Sequence, residues 1–351
     1  MAFYDDKLSA FRAHLNERGY DLSPAFSFSE SGDKCPVTVR FPRALLGEQS
    51  VIAIPDVHLS DGGPGDIFFN GDSANPIRLA NTLWAIYKFL GAEGAAATAL
   101  QLGDWYDVWR AVGHDATQAQ FGAIDNVEAY QKVLELDHVM SLAHVIGNHD
   151  ASFTHALPDR RVANGERFRF GFGLLQSRGK VFALHGHQVD DLPGVPSPDS
   201  EQRIVWLATL AATYVTSQAR SLQTFIDREG AAGALGWLTS IVGLNRADPV
   251  PKPRPRASAP PGIEGDFVER EQSEALVKIA VGACKQRYQP APAELELLLV
   301  GHSHKPCVAW APHPDSGRPV VIVDAGSWVY GAAQLLFGAG DRVSVFDVYR
   351  R

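Results

Sequence analysis

Cysteine is scarce in this sequence: Cys35, Cys284 and Cys307 are the whole complement of a 351-residue chain, odd in number and far apart. A disulfide framework is thereby excluded as the organising device, and a reduced, cytoplasmic setting is the expectation. There is no run of about 18 or more apolar residues, the least that a membrane-crossing helix needs. Met1 to Tyr20 mixes acids and bases throughout and lacks the apolar core of a signal peptide. Neither absence excludes peripheral contact with a membrane. Basic residues are not in excess either. A net charge of -8 and a pI near 5.8 argue against binding nucleic acid through a broad basic surface. Internal repeats are absent. What is there is globular in kind, with 45% apolar and 21% charged residues, enough for one large domain or two small ones.

Leu8, Phe11 and Leu15 predict a short amphipathic helix ending near Gly19. Strands are expected over 37–41 and 51–54. A helix is expected over 76–90, with Pro76 at its start and Gly91 just past its end, and another over 123–138. Past about residue 194 the pattern changes. Ile204, Leu207, Ala211, Val215, Leu222 and Phe225 follow helical spacing, and 266–288 reads as a further helix. Residues 195–290 are therefore read as a helical insertion into a core formed by 1–194 and 291–351. Within it, a Pro-rich basic stretch at about 249–262 reads as an exposed loop.

Five short apolar runs each lead directly into polar residues of ligand type. Val51–Ile54 is followed by Asp56 and His58, and 99–102 by Gly103, Asp104 and Asp107. Residues 142–146 are followed by Gly147, Asn148, His149 and Asp150. Residues 181–184 precede His185-Gly186-His187, and 295–300 precede Gly301-His302-Ser303-His304. Buried strands ending this way would gather these residues along the carboxyl edge of a sheet, where ligands sit in layered α/β folds. Hard oxygen donors mixed with imidazoles suit Mn²⁺, with Fe or Zn²⁺ as alternatives, better than Ca²⁺ or a thiolate site. One carboxylate using both oxygens can bridge two ions about 3.5–4 Å apart, the arrangement that stabilises attacking and leaving oxygens together.

The ordered motifs D-x-H, G-D-x-x-D, G-N-H-D, H-G-H and G-H-S-H resemble the calcineurin-like metallophosphoesterase superfamily over residues 51–327. Within it, Gly103-Asp104-Trp105-Tyr106-Asp107-Val108-Trp109 is similar to the G-D-L-F-E-x-W run of the UDP-2,3-diacylglucosamine pyrophosphatase group. The acidic doublet Asp190-Asp191 also fits that group. The resemblance implies an α/β fold of four layers, αββα, with two mixed sheets face to face and the helical insertion added. It implies a first divalent metal on Asp56, His58 and His304, a second on Asn148, His185 and His302, and Asp104 bridging both. It further implies that His149, oriented by Asp150, faces the scissile phosphate.

Several residues carry two readings. His185 directly follows its apolar run and matches the family's ligand position, which leaves His187 as an outer partner of the metal or a substrate contact. Arg160 and Arg161, with Arg167 and Arg169, form either a phosphate clamp or a solvated charged face. Trp105, Tyr106 and Trp109 either frame a ligand or pack. His114, His138, His144, His155 and His313 have no recommending spacing, and Cys307 reads as a small packed hydrophobe. The function implied is hydrolysis of a phosphodiester or pyrophosphate bond in a small-molecule or lipid-linked substrate. A phosphomonoesterase or protein phosphatase uses the same centre, and an inactive scaffold of the same fold would have lost ligands that are all present here.

Overall fold

Strands that are apolar at every position must bury both faces, because successive side chains point to opposite sides. The computed structural model describes residues 2–62, 66–69, 73–107, 124–147, 149, 168–169, 171–173, 180–187, 254–287 and 295–351, and follows this rule strand by strand. In Ser50–Ile54, Val51 and Ala53 enter one core while Ile52 and Ile54 enter another. In Leu297–Val300, Leu297 and Leu299 share the core of Val51, whereas Leu298 and Val300 face a third.

Two sheets result. In the first, the strand order is β11 (Glu264–Gly265), β4 (Thr38–Arg40), β16 (Arg342–Arg350), β15 (Gln334–Ala339), β5 (Ser50–Ile54), β6 (Ala97–Gln101), β7 (Ala143–Val145) and β8 (Phe168–Arg169). β1 (Tyr20–Pro24) pairs with β16 beside this path. β5 through β8 run parallel, while β15 and β16 join antiparallel. The second sheet is ordered β13 (Cys307–Pro312), β14 (Pro319–Asp324), β12 (Leu297–Val300), β10 (Val181–Leu184) and β9 (Gly171–Gly173). Its β10, β12 and β14 are parallel. β2 (Phe26–Phe28) and β3 (Lys34–Pro36) form a separate antiparallel pair.

Val51, Ala53, Leu100 and Val345 of the first sheet pack between the sheets with Val181, Leu299, Val308 and Val323 of the second. Among the described residues, α1 (Ala2–Asn16), α2 (Asn75–Glu93) and α3 (Gln131–Met140) cover the outer face of the first sheet. They contribute Phe11, Leu83, Ile86, Phe89 and Val133. The second sheet is covered by α4 (Ser273–Arg287) through Leu276, Val277, Ala280 and Val281. The architecture is thus α/β in four layers. Among the described residues, no helix is long and apolar enough to cross a membrane. Cys35 and Cys307 are buried thiols, the latter in β13 as a packed small residue.

Some expectations need correction. The polar strand ends do not share one sheet: those after β5, β6 and β7 belong to the first, those after β10 and β12 to the second. The helix expected over 123–138 becomes α3 only at Gln131. Val127 is extended and a 3₁₀ turn intervenes at Glu128–Tyr130, which brings the Tyr130 hydroxyl to donate to buried Asp66. Residues 254–287, read as insertion, pack on the core. β11 extends the first sheet beside β4, and α4 lies on the second. The described part of the Pro-rich stretch is likewise not a free loop. Arg254 N–H donates to Phe28 O at 2.9 Å, Ala257 N–H to Phe267 O at 2.9 Å, and Pro260 is buried. Pro255 falls between the two donors, a position that a residue lacking N–H tolerates. Residues 195–253 of the insertion lie outside the described residues.

Phe337 of β15 stacks on Phe11 at 5.9 Å and meets Tyr4 and Phe89 edge-on at 5.7 and 6.1 Å. Phe337→Ala should cost about 3–5 kcal/mol, read as a lower urea midpoint with an unchanged slope. A loss under about 1 kcal/mol would mean that this ring cluster does not anchor α1 and α2.

Candidate metal centre

Hydrogen bonds that prolong β5 and β6 beyond their ends set the first half of the site. Leu102 N–H donates to Ile54 O at 2.8 Å, and Val57 and His58 N–H both donate to Asp104 O at 3.0 and 2.8 Å. Asp56 and Asp104 are thereby held side by side, both fully buried. The second half arrives with β10 and β12, where Gly301 N–H donates to His185 O at 2.9 Å. Of the seven non-glycine residues with positive φ among those described, four stand here: His58 (60°), Asp104 (52°), His302 (70°) and His304 (55°). Each such residue is strained by about 1–2 kcal/mol, and concentration of that strain in one place points to function.

Among the described residues, three overlapping clusters have ligand atoms within 4.8 Å of one another: Asp56, His58 and His304; His58, Asp104 and His149; Asp104, His185 and His302. His304 Nε2 lies 3.1 Å from Asp56 Oδ2 and 3.1 Å from His58 Nε2. His302 Nδ1 lies 3.2 Å from His185 Nε2. Asp104 Oδ2 stands between the two groups, 3.6 Å from His58 Nε2 and 3.2 Å from His185 Nε2. Its Oδ1 accepts the His149 N–H at 2.8 Å. Asp56 accepts the His302 N–H on both oxygens, at 3.0 and 2.9 Å.

The rings are anchored from behind. His185 Nδ1–H donates to Leu102 O at 2.8 Å, and His58 Nδ1–H to Asp107 Oδ2 at 3.1 Å, so each Nε2 is turned inward. Such partners fix the tautomer and raise the ligating strength of an imidazole. Imidazole nitrogens that face one another at about 3.1 Å leave lone pairs opposed unless a proton or a cation lies between them, so this donor set fits divalent ions. Burial by itself would raise the Asp104 carboxyl, but the His185 and His149 charges and the His185 hydrogen bond hold it well below the usual carboxylate range. Burial would lower His185, yet Asp104 and Asp56 push it up to about 10. In His58 burial prevails over Asp107, and its pKa falls.

Close approach explains the glycines. A Cβ on Gly147 would sit 2.0 Å from Asp104 Oδ1, and one on Gly103 (φ 102°) 2.3 Å from His185 Nδ1. Gln101 clamps that turn, accepting from Gly103 N–H at 2.9 Å while its Nε2 donates to Gly103 O. Buried His144, set between Asp137 at 2.9 Å and Gln101 at 3.3 Å, backs the clamp and is structural as expected.

Of the residues singled out in the sequence, Asp56, His58, Asp104, His149, His185, His302 and His304 converge here. His187 stands beside them, its ring 5.3 Å from that of His185 and 6.2 Å from that of His302. Its Nδ1 is buried without a hydrogen-bond partner among the described residues. Burial, with the charges of His185 and His302, keeps His187 well below the ordinary histidine range. Asn148, Asp150, Arg160 and Arg161 lie outside the described residues. Trp105 and Tyr106 are core residues rather than a ligand frame.

Asp107 was missed. Fully buried, it accepts from His149 Nδ1–H at 2.8 Å through Oδ1 and from His58 Nδ1–H through Oδ2. The ring of His149 is therefore oriented by Asp107; Asp150, expected in that role, lies outside the described residues. The signal was the second carboxylate of the G-D-x-x-D spacing, which puts Asp107 on the same loop as Asp104.

No protein-family model matches the chain, and no curated protein sequence matches it. Among solved structures, a metallophosphoesterase from Sphaerobacter thermophilus is similar at 15% identity, covering 86% of this chain and 90% of that one, with a TM-score of 0.26. A likeness of that size decides nothing about chemistry.

Gly103→Ala combines a left-handed backbone with a clash against His185. It should destabilise the fold by more than the about 1 kcal/mol that Gly-to-Ala changes cost or gain at relaxed positions. Denaturant unfolding measures this, and an unchanged midpoint would show that the turn can rearrange freely.

Proposed function

We propose that this chain is a metal-dependent phosphoesterase of the calcineurin-like metallophosphoesterase type. In this reading it cleaves a phosphodiester or pyrophosphate bond in a small or lipid-linked substrate. The observation that carries the reading is the Asp104 carboxylate, shared between one cluster through His58 Nε2 at 3.6 Å and another through His185 Nε2 at 3.2 Å. A single carboxylate between two imidazole groups suits a ligand shared by a pair of cations. The motif order D-x-H, G-D-x-x-D, G-N-H-D, H-G-H, G-H-S-H supports phosphorus rather than a peptide carbonyl as the target.

Asp56, His58 and His304 would hold one ion, and Asn148, His185 and His302 the other, with Asp104 common to both. Mn²⁺ suits these oxygen and imidazole donors. Two divalent ions held there would lower the pKa of water and neutralise the phosphate oxygens.

The residues of the chain supply the rest. Asp107 accepts the Nδ1 proton of His149, which leaves Nε2 as the atom that carries a transferable proton to the departing oxygen. The His149 main-chain N–H fixes Asp104 Oδ1, so the general acid and the shared carboxylate are aligned by one residue. Leu102 O and Asp107 keep the rings of His185 and His58 from turning away.

The Mn²⁺-loaded protein is assayed against p-nitrophenyl phosphate, bis-p-nitrophenyl phosphate, cyclic nucleotides and UDP-linked sugars. A higher kcat/KM for a diester or pyrophosphate than for the monoester is expected. Hydrolysis of none of them by protein carrying two ions would refute the reading. Asp104→Asn should lose most bound metal in elemental analysis together with nearly all activity; two tightly held ions in that variant would remove Asp104 from the shared position. His149→Ala should retain its metal and lose about 10²–10⁴ in kcat, the usual size of general-acid help. Loss of metal instead would make His149 a ligand.

A further inference from the structure

β14 is the third parallel strand of the second sheet, beside β12 and β10, and it ends at the same edge in Asp324. No motif of the sequence points to this residue, yet it is fully buried. Its Oδ1 accepts Gly326 N–H at 3.3 Å, and its Oδ2 accepts Ser303 Oγ–H at 2.7 Å and Arg270 Nε–H at 3.4 Å. Both oxygens are thus committed to the protein, which makes Asp324 a poor ligand for an ion.

Ser303 stands between His302 and His304, both in left-handed backbone. A turn with two such residues relaxes unless its shape is over-determined from outside. Three bonds do this. Ser303 N–H donates to Gly301 O at 2.9 Å, Lys305 N–H donates to Ser303 Oγ at 3.2 Å, and that hydroxyl donates to Asp324. Of these three only the last reaches another strand, where it acts beside the His302 N–H that donates to Asp56 beyond β5.

A buried carboxylate needs a cation, and Arg270 provides it with a side chain only 7% exposed. The same guanidinium reaches further. Its Nη2 lies 3.6 Å from where a Cβ on Gly186 would be, between His185 and His187. Arg270 enters from the stretch that holds the bridge between Arg256 and Val268 and precedes α4. One ion pair therefore backs the two loops that carry His302, His304 and His185.

We propose that Ser303, Asp324 and Arg270 are positioning residues that hold the His302–His304 turn in the shape that accepts the two cations. The inference rests on the two-cation reading above and adds residues that do not touch an ion. The opposite charges of Asp324 and Arg270 offset one another, which limits the charge that the pair sets behind the ligands.

The test uses the full chain as wild type, Ser303→Ala, Ser303→Thr and Arg270→Met. Mn²⁺ affinity is measured by chelator competition, stoichiometry by elemental analysis, and folding by the melting temperature of the metal-free protein. Wild type should hold two ions. Ser303→Ala and Arg270→Met should bind about 10–100-fold more weakly, the usual loss on removing an outer partner of a ligand. Ser303→Thr, which keeps the hydroxyl, should return close to wild type. The metal-free Ser303→Ala protein should melt within about 4 °C of wild type, as expected for one ordinary hydrogen bond.

Unchanged affinity in Ser303→Ala overturns the inference, as does a Ser303→Thr variant as weak as Ser303→Ala. A metal-free melting temperature that falls in step with affinity overturns it too, since the network would then only stabilise the fold. If Arg270→Met does not fold, the Ser303 variants decide by themselves. A wild type that binds no ion would instead sink the two-cation reading, a different result from two ions held equally by all variants.

Discussion

A fully buried carboxylate tolerates its loss of water only where hydrogen bonds and opposite charge replace it, and Asp104 is the residue on which this constraint falls hardest. Its Oδ1 is satisfied by the His149 N–H, and its Oδ2 lies between the imidazoles of His58 and His185. Everything adjacent yields to that arrangement. Gly147 leaves room for the carboxylate, Gly103 leaves room for the ring of His185, and Leu102 supplies the carbonyl that turns this ring inward.

Neither sheet provides such a site by itself. β5, β6 and β7 bring Asp56, His58, Asp104 and His149, while β10 and β12 bring His185, His302 and His304. The two sets meet because the inner faces of both sheets share one apolar core, in which Val51 and Leu100 pack with Leu297 and Val181. Burial of that core brings together charges that would otherwise stay apart in water. The backbone strain of four positive-φ residues is sustained at this meeting of the two sheets.

Around the ligating atoms lies a layer of residues whose contribution is orientation. Asp107 serves two rings, one through each oxygen, and so couples a candidate metal ligand to the proposed general acid. Gln101 grips both polar groups of the Gly103 peptide. These side chains are buried and polar, and hydrogen-bonded networks of this kind rigidify a site when every member is satisfied.

From the sequence alone one could read the strands that end in ligand-type residues, since apolar runs and polar punctuation are local properties. Asp56, His58, Asp104, His185, His302 and His304 were legible this way, as were α1 and α2. The extent of α3, the return of residues 254–287 to the core and the division of strand ends between two sheets were not. They depend on which surfaces bury one another, as Tyr130 does with Asp66 and α4 with the second sheet. The orienting role of Asp107, and the convergence of Ser303, Asp324 and Arg270, also belong to the tertiary structure. Sequence spacing determines which residues a strand end can offer. Only the packing of distant segments decides which carboxylate faces which imidazole, because hydrogen bonds and charge pairs act over a few ångströms of space, whatever the separation along the chain.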